Sequence, residues 1–410
     1  MTHNVRTRVP FDSTSQLAEV VERVQSAPTL GPFDDRLVDF GAEFSRRLAR
    51  RARGYSELQA LAFWMRKAEL VRMKRDFSRL AGLQTILMPR GTVVHFPPAN
   101  VDTIFIYSWL ISLLCGNRNI VRLSSRTTDQ TEILIEIISD LAREQVYADV
   151  VAATAMVMYP HDSATTSELS ASADLRVIWG GDTSVNSIRR AALAPNATDL
   201  TFPDKISLAA FDVETVQALD DEALAQLAGR FYNDAFWFDQ LGCSSPRTLV
   251  WVGDPVTARL VERRFFDALY EVTLAKGLTV EIATAISKMT YGFSAAVTHP
   301  VTEVHSWGNQ ILLVQDAELA GLPDGFVGAG TFHTVTVGSL GSIAKIIGRR
   351  HQTLSHYGFT RTTLTTLVEV LAGSGLDRLV PVGDALTFNR YWDGNDLFQS
   401  FTRFVYVEES

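Results

Sequence analysis

Short apolar runs alternate with longer amphipathic stretches along the chain after residue 90. Thr92–Phe96 is a short apolar run, which predicts a strand, and Ile104–Cys115 is an apolar stretch of 12 residues, which predicts a buried helix. Further strands are predicted at 119–125, 151–158, 175–179 and 205–211, and further helices at 128–145 and 185–193. Strands that alternate with helices in this way predict an α/β fold built on a doubly wound parallel sheet.

Composition and charge narrow the class of protein. The chain has 410 residues, of which 46% are hydrophobic and 20% charged, so it has enough apolar side chains for a sizeable core. The net charge of −8 argues against nucleic-acid binding. The longest apolar run is shorter than the roughly 20 residues of a membrane span, and the first residues are polar, unlike a signal peptide. With only two cysteines we expect a reducing, cytoplasmic location.

One of the two cysteines lies in a chemically suggestive stretch. Cys243 stands between Gly242 and the sequence Ser-Ser-Pro, ahead of an apolar run that predicts a strand. Gly242 allows close backbone approach and a positive φ, and Pro246 disfavours a long helix, so Cys243 is predicted on a tight loop at the mouth of a strand. A thiol there is either a nucleophile or a small buried filler, and we favour the nucleophile.

Other stretches suggest sites for phosphate groups. Gly180 and Gly181 follow a predicted strand and precede a helix, which fits either a pyrophosphate cradle or a plain tight turn. Asn100 and Ser124 also lie at the carboxyl ends of predicted strands, the edge of a parallel sheet where ligands bind. The helical segment 44–80 is rich in arginine and lysine, which fits a solvated helix face or a docking surface for coenzyme A phosphates or an acidic carrier protein.

Six short motifs, taken together and in this order, resemble the LuxC-type acyl-CoA reductases, a group within the aldehyde dehydrogenase superfamily. The motifs are Ala62–Lys67 (AFWMRK), His95–Asn100 (HFPPAN), Gly116–Asn119 (GNRN), Val121–Ser125 (VRLSS), Asp239–Pro246 (DQLGCSSP) and Trp392–Gly394 (WDG). The resemblance implies an aldehyde dehydrogenase-like fold and an oxidoreductase closest to long-chain acyl-CoA reductase. Its substrate would be acyl-CoA or an acyl-carrier thioester, with a possible acyl-transferring partner protein, and its relatives imply a homo-oligomer.

The resemblance also implies roles for individual residues. Cys243 falls on the catalytic nucleophile, and Asn100 on the asparagine whose amide completes the oxyanion hole with the Cys243 backbone N–H. When the usual glutamate-containing stretch is aligned on Lys205, Thr201 stands in place of the glutamate that activates water, although Asp204 is an alternative acid/base. A missing base favours thioester reduction over the alternative of oxidising an aldehyde to an acid. The presence of Cys243 and Asn100 argues against the other alternative, a non-catalytic acyl-binding subunit.

The cofactor residues are likewise implied by the resemblance. Arg122 and Ser124 fall where the superfamily holds the adenosine ribose or its 2′-phosphate, and Gly180 and Gly181 fall in the turn that faces the cofactor phosphates. Superfamily members that prefer NAD often have a glutamate just after the serine of the ribose-binding strand. Here Ser125 and Arg126 follow Ser124 instead. Because two arginines attract a 2′-phosphate, we expect the cofactor to be NADPH.

These assignments predict four segments. Residues 1–80 would form an N-terminal helical segment that packs on the cofactor domain, with a loosely ordered entry and one helix near 15–25. Residues 81–212 would form the dinucleotide-binding domain, 213–380 the catalytic domain with mixed strands and short helices, and 381–410 a small C-terminal element used in oligomerisation.

The remaining candidates are expected to be structural. Cys115 on the apolar helix is expected to fill the core. His95 is expected to be a satisfied structural histidine rather than a site residue. Gln240 could orient the acyl group or only pack. His351 and His356 have no acidic partner at a metal-ligand spacing, so no metal site is expected.

Overall fold

The computed structural model describes residues 3–82, 84–98, 101, 103–160, 162–319, 321 and 325–408. The chain divides into two compact units. The first unit is Met1–Pro203 with Phe388–Ser410, and the second unit is Asp204–Thr387. Each unit is built around its own seven-stranded sheet.

The elements follow one another in chain order. The strands are β1 (Asn4–Val9), β2 (Ser13–Gln16), β3 (Thr85–Pro89), β4 (Thr92–Phe96), β5 (Arg118–Leu123), β6 (Thr154–Met158), β7 (Leu175–Trp179), β8 (Thr198–Phe202), β9 (Ile206–Asp212), β10 (Pro246–Val252), β11 (Val301–Trp307), β12 (Ile311–Asp316), β13 (Thr331–Val337), β14 (His351–Tyr357), β15 (Arg378–Pro381), β16 (Tyr391–Trp392), β17 (Asn395–Asp396) and β18 (Thr402–Tyr406). The helices are α1 (Leu17–Gln25), α2 (Asp35–Arg51), α3 (Ser56–Trp64), α4 (Lys67–Ser78), α5 (Ile104–Leu114), α6 (Asp129–Ala142), α7 (Ala148–Ala152), α8 (Ser163–Ala171), α9 (Asp182–Arg189), α10 (Val213–Gln217), α11 (Asp221–Phe236), α12 (Pro255–Ala275), α13 (Ile282–Thr298), α14 (Arg361–Leu371) and α15 (Leu397–Ser400).

The sheet of the first unit has the order β2-β1-β6-β5-β4-β7-β8. The five strands β6, β5, β4, β7 and β8 are parallel to one another. The N-terminal hairpin β1–β2 pairs antiparallel with β6 at one edge. The chain runs from β4 outward through β5 to β6 and then returns to the other side of β4 with β7. Such a reversal opens a crevice at the carboxyl ends of the strands, where ligands bind in doubly wound sheets.

The helix α5 shows why the first unit folds around β4 and β5. Every residue from Ile104 to Leu114 is buried, so the predicted buried helix is confirmed. One of its two serines is hydrogen-bonded in the core, since Ser108 contacts both His95 on β4 and the indole of Trp179 on β7. A single polar side chain thus ties the helix to two strands of the sheet beneath it.

The sheet of the second unit has the order β11-β12-β13-β10-β9-β14-β15. All neighbouring strands are parallel except β11, which pairs antiparallel with β12 at one edge. The α/β class and the doubly wound parallel sheets predicted from the sequence are confirmed. The long helix α12 begins as its sequence indicates, with Pro255 in the first turn and the Asp254 carboxylate accepting a hydrogen bond from the Thr257 N–H.

Two local predictions were wrong. The loosely ordered entry is a β-hairpin, β1–β2, because alternate residues of β1 are buried against the edge of the sheet. The short helices expected after residue 280 include α13, which is 17 residues long. Within the part of the chain that the structure describes, no helix combines the length and apolar character needed to cross a lipid bilayer.

Candidate active site

Cys243 lies on a loop above the amino ends of three adjacent strands of the second unit: β10, β9 and β14. Its side chain is half-buried, and neither cysteine forms a disulfide. The side-chain amide of Gln352, at the start of β14, donates to the Cys243 sulfur with an Nε2–Sγ distance of 3.5 Å. The hydroxyl of Ser207, at the start of β9, donates to the Cys243 carbonyl at 2.7 Å. The loop is therefore held both at its backbone and at its sulfur.

The amide of Gln352 is itself fixed in orientation. Its Oε1 accepts hydrogen bonds from the hydroxyl of Ser244 at 2.5 Å and from that of Thr353 at 3.3 Å. Gln352 and Ser244 are buried, at 0% and 1% exposure. With the amide oxygen committed to these hydroxyls, the amide nitrogen is the group that faces the sulfur.

A left-handed turn leads into the loop. Phe238, Asp239 and Gln240 have φ values of 53°, 52° and 63°, which non-glycine residues rarely adopt in succession. Gly242 does not use the positive φ that a glycine allows. Gly242 instead saves space, because a Cβ there would lie 3.2 Å from side-chain atoms of Leu386 and Ser245.

Gln240 stabilises this turn and does not orient a substrate. It is fully buried, and its amide nitrogen donates to the carbonyls of Pro246 and Thr331 at 2.9 and 2.8 Å. Its amide oxygen accepts from the N–H groups of Gly330 and Thr331 at 2.9 and 3.0 Å. Because all four hydrogen-bonding positions of the amide are occupied, packing is the role that the structure supports.

Two glycines let the facing loop approach the turn. A Cβ on Gly328 would lie 2.6 Å from the Asp239 carbonyl oxygen, and a Cβ on Gly330 would lie 2.2 Å from the Gln310 carbonyl oxygen. Both glycines have positive φ. The Ala329 N–H between them donates to the Asp239 carbonyl at 2.9 Å, which joins the loop to the turn.

Arg247, four residues after Cys243, brings a positive charge to the loop. Its guanidinium lies 4.8 Å from the ring centre of Phe326, and its buried Nε has no hydrogen-bond partner among the described residues. Burial lowers the pKa of Arg247, while electrostatic attraction to Cys243 and to Asp204 opposes that change. A cation in this position favours the thiolate over the thiol at Cys243.

A buried acid secures the segment that packs on Gly242. Asp234 on α11 accepts hydrogen bonds from the N–H groups of Gly383 and Ala385 at 2.7 and 2.9 Å. Burial raises the pKa of Asp234 to about 7, against the opposing effect of these two N–H donors. The anchored segment continues to Leu386, which contacts the Gly242 position.

The predicted cofactor residues of β5 lie at the carboxyl edge of the first sheet. Ser124 and Arg126 line one pocket together with Pro97 and Pro98, which follow β4. The Arg122 guanidinium lies 5.4 Å from the ring centre of Tyr159. In the described part of the chain, neither Arg122 nor Arg126 forms an ion pair with a carboxylate.

The predicted phosphate turn follows β7, the strand on the other side of β4. Gly180 has a φ of 153°, and a Cβ there would meet only Ser184, at 3.5 Å. Gly181 is the N-cap of α9, which begins at Asp182, three residues earlier than predicted. The N-terminus of α9 therefore faces the same edge as β5, although the Asp182 carboxylate in its first turn complements the same helix dipole.

The roles of two further residues, Asn100 and Thr201, stay predictions. Asn100, the expected oxyanion residue, lies outside the described residues. Thr201 lies half-buried on β8, and Lys205, used to align it, donates to the Arg349 carbonyl at 2.7 Å and contacts Asp377. The position of Thr201 in place of a catalytic glutamate stays a prediction.

His95 and Cys115, which were expected to be structural, are both fully buried. His95 is fully buried, with Nδ1 hydrogen-bonded to Ser108 at 2.8 Å and Nε2 to Asn119 at 3.0 Å. Burial lowers the pKa of His95 to about 4, so the ring is neutral at physiological pH. Cys115 is fully buried, and burial raises the pKa of its thiol.

His351 and His356 lie near opposite ends of β14, with an irregularity in the strand register between His351 and Leu354. Burial lowers the pKa of both histidines. Among the described residues, no group of three or more His, Cys, Asp or Glu side chains has an arrangement that could hold a metal ion.

The basic segment on α2–α4 carries many acidic partners. Its ion pairs include Arg46–Glu43, Arg47–Glu144, Arg51–Glu136, Arg66–Glu69, Lys67–Asp39, Arg72–Glu69 and Lys74–Asp35. Positive charges that are already paired attract a phosphate less than unpaired ones. This favours the solvated helix face over the docking surface.

The sequence did not predict the contacts that hold the Cys243 loop. Gln352 and Ser207 come from other strands, 109 and 36 residues away from Cys243 along the chain. The available signal was the run Gln352–Ser355, in which three of four fully buried strand residues are polar. Buried polar side chains require partners, and for Gln352 the partners lie in the cysteine loop.

Solved structures with the same fold are aldehyde dehydrogenases. A lactaldehyde dehydrogenase aligns with a TM-score of 0.63 at 11% identity and covers 96% of this chain and 91% of that chain. An NAD-dependent aldehyde dehydrogenase from Sinorhizobium meliloti gives 0.65 at 12% identity, covering 96% and 87%. An indole-3-acetaldehyde dehydrogenase in complex with NAD+ gives 0.62 at 11%, covering 98% and 92%.

Comparison of sequences is more specific than comparison of folds. No curated protein sequence matches the chain. The family model described as acyl-CoA reductase (LuxC) matches residues 72–404, which include both the cysteine loop and the β5 edge. The match spans most of the chain and agrees with the aldehyde dehydrogenase fold, so the chain belongs to the LuxC family of acyl-CoA reductases.

Proposed function

We propose that this chain reduces an acyl thioester to an aldehyde with NADPH, by way of an acyl-enzyme on Cys243. The observation that carries the proposal is the Gln352 amide that faces the Cys243 sulfur within a family of acyl-CoA reductases. The thioester is acyl-CoA or an acyl-carrier thioester, which a partner protein could supply.

The first step is attack of the Cys243 thiolate on the thioester carbonyl carbon. A new carbon–sulfur bond forms at Cys243, the bond to the departing thiol breaks, and that thiol leaves with the electron pair as a thiolate. The Cys243 N–H and the Asn100 amide are proposed to bind the oxyanion, where loss of one such donor typically raises a barrier by about 3–4 kcal/mol. Arg247 and Gln352 favour the attacking thiolate.

Bound NADPH supplies the hydride that reduces the acyl carbonyl. The residues at the first sheet edge fit this cofactor, because Arg122 and Arg126 form no ion pair with any described carboxylate and lie beside Ser124. The α9 N-terminus after Gly180 suits its pyrophosphate. Thr201, which cannot activate water as a glutamate does, supports release as aldehyde rather than hydrolysis to an acid.

The direct test incubates the full chain with a panel of acyl-CoA and acyl-carrier thioesters and follows nicotinamide absorbance. We expect NADPH to be consumed and aldehyde to appear, and Cys243→Ala to abolish both. Steady NADP-dependent oxidation of an aldehyde without added thiol would instead favour the oxidative enzyme. No turnover with any thioester would favour a non-catalytic acyl-binding subunit.

A homo-oligomer is part of the proposal. Five apolar side chains form one exposed stripe along α13, at helical spacing: Ile282, Ile286, Met289, Phe293 and Val297. Together they expose several hundred square ångströms, against about 800 Å² per partner in a standard interface. A second copy with the same stripe is the occupant that would bury it symmetrically. Phe293→Glu should then reduce the mass measured by sedimentation, and an unchanged mass would contradict this surface.

A further inference from the structure

We propose that Gln352 is a positioning residue for Cys243: its amide, oriented by Ser244, stabilises the sulfur as a thiolate more than as a thioester. The inference rests on the proposed function, because it concerns the two steps in which the Cys243 sulfur gains or loses an acyl group. The chain of contacts runs from the Ser244 hydroxyl to Gln352 Oε1 and from Gln352 Nε2 to the sulfur, at 2.5 and 3.5 Å.

The direction of the effect follows from the charge on the sulfur. A hydrogen bond to an ionised acceptor is roughly twice as strong as one to a neutral acceptor. A thiolate carries a full negative charge, whereas a thioester sulfur carries none. The Gln352 amide therefore favours the thiolate, the state from which the sulfur attacks and to which it returns.

The return is the step at which this preference matters most. After hydride addition, the tetrahedral carbon is bonded to the Cys243 sulfur and to an oxygen. When it collapses, the carbon–sulfur bond breaks, its electron pair goes to sulfur, the C=O bond forms, and the oxygen's proton passes to solvent. An amide that strengthens its hydrogen bond as charge grows on the sulfur lowers this barrier as well as that of the initial attack.

The surroundings of the Gln352 amide hold it in one orientation. Gln352 is fully buried on β14, and the Ser244 that orients it is a neighbour of Cys243 in the same loop. The loop and the donor therefore move together. Ser207 completes this arrangement by accepting from the Thr353 N–H at 3.1 Å while donating to the Cys243 carbonyl.

Other charged groups act on the same loop and stay constant in the test. Arg247 on β10 interacts electrostatically with Cys243, and Asp204, Arg350 and Tyr291 in turn interact with Arg247. None of them is altered by the substitutions below. A change in the ionisation of Cys243 in those variants is therefore assigned to the altered contact.

The test is the pH dependence of alkylation of the full chain by iodoacetamide, which reacts with thiolate and needs neither thioester nor NADPH. Gln352→Met removes the donor, so the midpoint should rise by about one pH unit, which slows alkylation about tenfold at pH values below the midpoint. Gln352→Glu places an acid against the sulfur and should raise the midpoint further. Ser244→Ala should raise it less.

Two control variants show whether the alkylation signal comes from Cys243 and whether the shift is specific to its contact with Gln352. Gln226→Glu makes the same change on an exposed part of α11 and should leave the profile unchanged. Cys243→Ala should remove the signal, since Cys115 is buried. If Gln352→Met does not fold, Gln352→Glu and Ser244→Ala decide the matter. An unchanged midpoint in folded Gln352 variants would overturn the inference, whereas a shifted midpoint in a chain without reductase activity would overturn only the proposed function.

Discussion

Each of the two units has a sheet edge with candidate functional residues, and the two edges differ in how they use polar groups. At the carboxyl edge of the first sheet, Arg122 and Arg126 form no ion pair with described carboxylates, and a Cβ on Gly180 would make only an ordinary contact with Ser184. At the amino edge of the second sheet, Gln240 has all four positions of its amide occupied, and Gln352 bridges Ser244 and Cys243. This difference fits the proposed roles: an edge that receives a dissociable anion keeps its donors available, whereas an edge that presents a nucleophile uses its donors to hold it.

The largest effect on stability is expected at Gln240, whose amide makes four hydrogen bonds in the turn before Cys243. Gln240→Met removes four buried hydrogen bonds and leaves backbone groups unsatisfied beside three left-handed residues, so the free energy of unfolding should fall by at least about 3 kcal/mol. Denaturant titration measures it. The control Gln226→Met, on an exposed helix face, should change it by less than about 0.5 kcal/mol. A loss below about 1 kcal/mol in Gln240→Met would mean that the turn does not depend on the hydrogen bonds of the Gln240 amide.

A pair of glycine substitutions tests how strictly the loop at Gly328–Gly330 is packed against its surroundings. Gly330→Ala should destabilise by about 2–3 kcal/mol, since alanine at positive φ is strained and its Cβ meets a carbonyl oxygen. Gly229→Ala lies within α11 with nothing within 4 Å of the added Cβ, and should stabilise by about 0.5–1 kcal/mol. Thermal unfolding of both variants measures the difference. Equal effects would show that the loop yields easily.

The first edge is tested by cofactor preference rather than by stability. Arg122→Ala and Arg126→Ala should each raise the KM for NADPH about tenfold, the loss expected for a charge-assisted hydrogen bond to phosphate. The KM for NADH should change little, because NADH lacks the 2′-phosphate. Arg143→Ala, on the exposed end of α6, is the control. Parallel changes for both cofactors would contradict a 2′-phosphate site at this edge.

The smallest effect is expected on the ion-paired helices, where arginines already have partners. Hydrogen bonds from Arg46, together with contacts from Arg47, lower the pKa of Glu43 to about 2 from its usual 4.5. A lowered folded-state pKa contributes stability above pH 4.5 that is lost as the pH falls toward 2. Glu43→Gln should therefore cost less than about 1 kcal/mol at pH 7, with the difference from the original chain shrinking between pH 5 and pH 2. A difference that grows in acid would contradict the pairing.

The sequence predicted the central elements of the first sheet well, because they have a strong local signal, whereas the hairpin β1–β2 and the strand β8 were not predicted. β4, α5 and β7 were found to within a residue, since each is an apolar run with a clear beginning and end. The place of Ser124, Gly180 and Gly181 at the carboxyl edge was likewise predicted, and their role toward a cofactor stays a prediction. Here local pattern and final position coincide, because the ends of parallel strands share one edge.

The second edge was predicted only in part. The loop that carries Cys243 was found from its glycine and proline, but the left-handed residues Phe238–Gln240 were not, since nothing local favours that conformation in them. The turn is stabilised by groups more than 85 residues away in sequence, such as the Thr331 carbonyl. Gln352 was missed for the same reason. Contacts of this kind depend on tertiary structure and leave little trace in spacing.

The central claim is that the Cys243 sulfur holds the acyl group that is reduced. The most direct measurement is the mass of the Cys243 peptide after rapid quenching of the full chain with acyl-CoA, before and after NADPH is added. The account predicts an acyl adduct on Cys243 that disappears with NADPH as aldehyde forms in equal amount. An adduct on another residue, or one on Cys243 that NADPH does not discharge, would contradict it.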